Sequence, residues 1–230
     1  MTNITAATIS PDNAAPVDVP DIGFSVPELV YLLNSVPGPV ADRSAEIFSV
    51  GPLLPDDVDI INGGGALLAH GLLAMNGVGE FELQDAALVV SYILCNAESW
   101  TVIGGGTDEG GDLGVFVKSP MGALLAQPRA LGTWWFVLID ANAPREEIVA
   151  DMAGSFADAS ESTGVYVRQL TLHHDRTFSL RQVRNVWGYA EGTSESDTPD
   201  TIVEDVDRQA VFTALTQFMD SFPANESIGE

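Results

Sequence analysis

The apolar residues of this chain change period near Trp100, and that switch restricts the fold more than any other feature. Between Ser25 and Asn96 they cluster three and four residues apart, as helices require. From Trp100 onward they alternate, as half-buried strands require. Helices gathered at one end of the chain and strands at the other predict an α+β fold. It should be a twisted, mainly antiparallel sheet with packed helices and an N-terminal helical subdomain.

The expected organisation follows from local signals. Residues 1–20 read as a flexible arm, 21–98 as the helical subdomain, 99–222 as antiparallel sheet with helices, and 223–230 as a tail. Ser25 caps a short helix with Pro27 and Glu28 in its first turn, and Leu29, Leu32 and Leu33 give its apolar face. Pro37-Gly38-Pro39 stops it, and 40–61 reads as loop with short helical turns. Asn62-Gly63-Gly64-Gly65 precedes a helix expected over Ala66–Met75, ended by Asn76-Gly77. A short extended piece, Phe81–Leu83, leads to a helix from Gln84 or Asp85 to Asn96.

In the second half, strands are expected at Ser99–Ile103, Leu113–Lys118 and Met121–Ala126, the first two joined by an acidic glycine-rich loop, 104–111. Thr133–Asp140 is apolar on both faces and so expected to be central. Arg145–Ala159 carries Ile148, Met152 and Phe156 at four-residue intervals and reads as a helix. Val165–His174 and Thr177–Tyr189 predict a long hairpin turning at Asp175. Residues 191–207 hold seven acids and no base and read as an acidic loop. Asp207–Phe222 closes the pattern as a helix.

Charge narrows the partners. Thirty-three acidic residues oppose nine basic ones, a formal net charge of −24. Nucleic-acid binding releases counterions through lysine and arginine, which are too few here, and anionic membrane surfaces are disfavoured for the same reason. The expected partner is another protein, helical or basic. Met1 to Asp21 holds no basic residue and no apolar run of a secretory leader, and no apolar run approaches the roughly 20 residues of a membrane span; a cytoplasmic protein is expected.

No sequence motif assigns a catalytic or metal-ligating residue, and no cofactor is expected. Cys95, the only cysteine, lies in an apolar run and reads as a buried, inert thiol. The glycines at 63–65 lack the lysine and Ser/Thr of a phosphate loop. His173 and His174 are adjacent on a predicted strand, so they point to opposite faces and cannot easily share a metal. The candidate binding residues are Arg168, Arg176, Arg181 and Arg184, half of the chain's arginines on one hairpin, with Trp187 and Trp135 as aromatic anchors. The arginines either pair with acids across strands or form a cationic patch on an acidic body. One of Trp134 and Trp135 must face away from the other, and an exposed indole there would mark a binding surface.

The run Gly65–Gly79 (GALLAHGLLAMNGVG), followed by Glu82-Leu83 and the helix Asp85–Asn96, resembles the EspG family, cytosolic chaperones of type VII secretion in actinobacteria. His70 stands where that family usually has arginine. The resemblance implies a non-catalytic chaperone that binds a secreted helical partner near its tip. Two other functions are compatible with the residues: an acidic immunity-type inhibitor or nucleic-acid mimic that blocks a basic enzyme, and an enzyme whose site has no sequence signature.

Overall fold

The computed structural model describes residues 22–53, 58–107, 110–140, 142–159, 164–183, 186–194 and 198–221. The expected arm and the tail at 223–230, Arg184, and the acids Asp108, Glu109, Glu195 and Asp197 lie outside the described residues. The elements run β1 (Ile22–Ser25), α1 (Val26–Asn34), α2 (Pro39–Ile47), α3 (Val58–Ala69), β2 (Leu73–Met75), β3 (Phe81–Leu83), α4 (Asp85–Cys95), β4 (Ser99–Thr107), β5 (Gly110–Ser119) and β6 (Gly122–Arg129). Then follow β7 (Thr133–Ile139), α5 (Arg145–Asp158), β8 (Gly164–Leu170), β9 (Asp175–Val183), β10 (Val186–Gly192), β11 (Thr201–Val206) and α6 (Arg208–Asp220). The class is α+β, and the strands pair antiparallel. Among the described residues no helix is long and apolar enough to cross a membrane. Two compact units divide the chain: residues 1–97 with 119–139, and residues 98–118 with 140–230.

The first unit joins α1–α4 and the β2–β3 hairpin to the strand run β1-β7-β6. Ser25 opens α1 as expected: its amide and hydroxyl both donate to the Glu28 carboxylate, at 2.8 and 2.7 Å. Leu29, Leu32 and Leu33 are fully buried, and Val30 and Tyr31 nearly so, making α1 the central helix of the unit. Residues 40–47, expected as loop with short helical turns, lie in α2, where Pro39 sits in the first turn and its missing N–H costs nothing. Phe48 after α2 meets Trp134 edge-on at 4.8 Å and Phe136 at 5.7 Å, and Phe24 meets Phe136 at 5.8 Å. These rings join β1 and β7 to the helices.

The helix expected over Ala66–Met75 is displaced. α3 begins at Val58 and ends at Ala69, so Gly63-Gly64-Gly65 lies inside it. Packing explains this. A side chain at Gly63 would overlap the Pro27 carbonyl, and one at Gly64 would come within 2.8 Å of the Tyr31 ring. The glycines let α3 lie directly on α1, and that contact outweighs their poor helix propensity. Gly71, at φ +75°, ends the helix instead of Gly77. Its amide reaches Leu68 O (3.2 Å), and that of Leu72 reaches Leu67 O (2.8 Å), the double closure of a Schellman motif.

The second unit holds the strand run β5-β4-β8-β9-β10-β11, with α5 and α6 on one face. Ile103, Val165, Val167, Phe178, Leu180 and Trp187 point to that face and meet Val149, Ala153, Ala157, Val211, Leu215, Phe218 and Met219. Gly104, Gly105 and Gly106, expected in a loop, are paired in β4. Gly105 faces α5 so closely that a side chain there would overlap Phe156. The expected strand Thr177–Tyr189 is two strands, β9 and β10, and residues 171–174 form the turn before β9. Residues 201–206, read as part of an acidic loop, form the edge strand β11. Their carboxylates suit an edge, since charge there discourages pairing with another chain.

Candidate functional site

Strand phase decides which side chains of the second unit face the helices and which face away. Phe178 and Leu180 point to α5 and α6, so Ser179 and Arg181 point to the opposite face. Trp187 and Tyr189 take the helix side of β10, leaving Gly188 and Ala190 on the other. The register brings Tyr166 opposite Ser179 and Ala190 opposite Ile202. The result is a cleft of about 490 Å³ on the uncovered face of β8–β11, floored by Ser179, Gly188 and Ala190 and flanked by Tyr166 and Ile202. Arg181 and Glu204 form an ion pair at 2.9 Å in its wall, each more than three-fifths exposed. Gly188, without a side chain, leaves the floor open; one there would come 2.9 Å from the Val203 carbonyl.

Arg168 lies on the same face. Its guanidinium is bidentate on Asp175, whose carboxylate also accepts from Ser194 Oγ (2.5 Å). Burial raises the Tyr166 phenol above its ordinary pKa, while the positive charge of Arg168 pulls the other way. The phenol therefore stays protonated at neutral pH and can donate a hydrogen bond at the rim of the cleft.

The other expected binding residues lie elsewhere. The Arg176 guanidinium stacks 4.5 Å above the Phe218 ring on the helix-covered face and donates to Ser221 Oγ (3.0 Å). Trp187 is buried in the core, with Phe212 at 6.1 Å and the Arg208 guanidinium at 5.8 Å. Trp135 belongs to the first unit. Its neighbour Trp134 is buried, and Trp135 is 44% exposed on the opposite side of β7. β7, expected to be central, is instead next to the edge strand β1, and among the described residues only one of its faces is covered. Of the six expected residues, the five that are described do not share one face: Arg168 and Arg181 lie on the face away from the helices, Arg176 and Trp187 on the helix-covered face, and Trp135 belongs to the first unit. Tyr166, Ser179 and Ala190 were not singled out from the sequence, although the alternation of β9 and β10 carried the signal; Ile202 and Glu204 fall in the acidic segment 191–207 that was expected to contribute to the binding surface. Once Phe178 and Trp187 are placed inward, the outward set follows.

Nothing among the described residues converges as a catalytic group would. His173 and His174 are exposed in the turn before β9. No group of three or more His, Cys, Asp or Glu is gathered among the described residues. Cys95 is buried beside the carbonyls of Leu32 and Leu33, and burial pushes its thiol up to about 11. At pH 8 it stays a thiol, so iodoacetamide should leave the folded protein unmodified and alkylate Cys95 only after guanidinium unfolding, as intact mass would report. Modification of the native protein at the rate of a free thiol would contradict this burial. His70, just past α3, has Nδ1 3.2 Å from Oε1 of the buried Glu28.

No family model matches the sequence, and no curated protein matches it. Among solved structures, the fold is similar to that of the Mycobacterium tuberculosis type VII secretion system chaperone EspG5, determined in complex with the PE25-PPE41 dimer. The TM-score is 0.51 at 12% identity, covering 91% of this chain and 98% of that one. The expected resemblance to EspG chaperones thus holds at the level of the fold.

Proposed function

We propose that this chain is a cytoplasmic, non-catalytic protein-binding module of the EspG-like chaperone kind, which holds a helical partner against the uncovered face of β8–β11. The observation that carries the reading is that face. Helices pack on one side of these strands, and the other side presents a cleft with small residues on its floor, apolar flanks and an exchangeable ion pair. A helix end with one or two apolar side chains fits such a surface, and polar groups at its rim set orientation. The fold likeness to a chaperone solved with a bound protein dimer supports the same class of partner.

The test is capture of partners by the tagged full chain from its own host lysate, at low and high salt, with Arg181→Glu in parallel. A stoichiometric helical partner that survives salt, and whose yield falls about tenfold or more with Arg181→Glu, is the expected result. The melting temperature should not change, because Arg181 pairs only at the surface. Equal capture by wild type and variant would remove Arg181 from the contact. A basic enzyme released by salt would instead favour the acidic-inhibitor reading, whose pairing is electrostatic.

A further inference from the structure

Among the described residues, the first unit has a sheet face that no element covers, of a different character. On β7, Trp134 and Phe136 point to the helices, and Thr133, Trp135, Val137 and Ile139 point away. The register sets Trp135 between Gly23 of β1 and Gln127 of β6, and Val137 beside Leu125. The indole lies over Gly23, where a side chain would come 3.1 Å from its Nε1. It is therefore held in place before any partner arrives, which lowers the entropy lost on binding. Leu131, in the turn between β6 and β7, is 99% exposed and holds φ at +62°. An L-residue loses free energy in that conformation, and this one makes no packing contact that would repay it.

The face also lacks acid. No Asp or Glu occurs between Asp112 and Asp140, whereas each of the six helices carries at least one. Arg129, exposed opposite Thr133, is its only cation. The carboxylate bonded to this face through Ser25, that of Glu28, is itself buried. Two bodies of charge −24 repel wherever their carboxylates meet, and burying a carboxylate in a contact is costly. A basic partner gains nothing from an acid-free face, since every acidic surface of the chain attracts it more. An acidic body suits this face, and a second copy is an acidic body that brings the same acid-free surface.

We propose that the uncovered face of β1-β7-β6, with Leu131 at its tip, is where two copies of this chain associate about a twofold axis. Trp135 and Val137 supply the apolar centre of the contact, and Leu131 and Arg129 lie toward its end, at the turn between β6 and β7.

Sedimentation equilibrium of the full chain tests this, from about 1 to 300 µM, below and above physiological salt. The expected result is a monomer–dimer equilibrium that tightens with added salt, because screening relieves the mutual repulsion. Trp135→Asp and Leu131→Asp should each weaken it at least about tenfold. Leu131 touches no part of the core, so Leu131→Asp decides the matter even if Trp135→Asp unfolds; circular dichroism confirms that the variant is folded. A monomer at every concentration and salt, a dimer that added salt dissociates, or a dimerisation constant unchanged in Leu131→Asp would each overturn the proposal.

Discussion

Gly63→Ala is expected to destabilise the first unit by about 3 kcal/mol or more, its added carbon making the closest backbone overlap among the described glycines. The added carbon would overlap the Pro27 carbonyl on α1, and a helix backbone cannot turn aside as a flexible side chain can. The gain of about 1 kcal/mol from replacing glycine in a helix does not offset that overlap. Gly65→Ala, two positions on, meets nothing within 4 Å and should stabilise by about 0.5–1 kcal/mol. Thermal unfolding followed at 222 nm separates the two. A Gly63→Ala protein that melts with the wild type, or above it, would mean that α3 does not lie on α1 as described. The contrast also decides between two meanings of the glycine run. A flexible lead into a helix beginning at Ala66 would make the two substitutions equivalent.

Trp134→Ala should cost about 3–5 kcal/mol, and Trp135→Ala no more than about 1 kcal/mol. Trp134 is buried against Phe48, and its removal leaves a cavity that β7 and α2 cannot close. Trp135 rests on Gly23 with nearly half its surface already in water. Urea denaturation of both variants reads the difference. Equal losses would contradict the assigned phase of β7.

Much of the fold was legible because it depends on local rules. The change of period near Trp100, the Ser25–Glu28 capping pair, Asp207 accepting from Ala210 N at the start of α6, and the alternation of β4 and β5 are all set by residues within a few positions of one another. The rule that adjacent strand residues face opposite ways required one of Trp134 and Trp135 to point outward. It could not say which, because both are the same residue type, and only the rings of Phe48 and Phe136 select Trp134 for the core.

The candidate site was less legible because its components depend on partners distant in the chain. Arg181 finds Glu204 on an edge strand read as loop, and Arg176 is drawn over Phe218 of the last helix. Trp187 resembled an interface anchor by type, yet α6 covers it. By itself the sequence determined the class, the acidity and most element positions, because periodicity and net charge are properties of the chain. Tertiary structure alone decided that Gly63 and Gly64 belong inside α3, that residues 201–206 close a sheet edge, and which sheet faces the described residues leave bare. Each of those outcomes depends on close contact between segments far apart in sequence, where the fit of a single carbon outweighs local propensity.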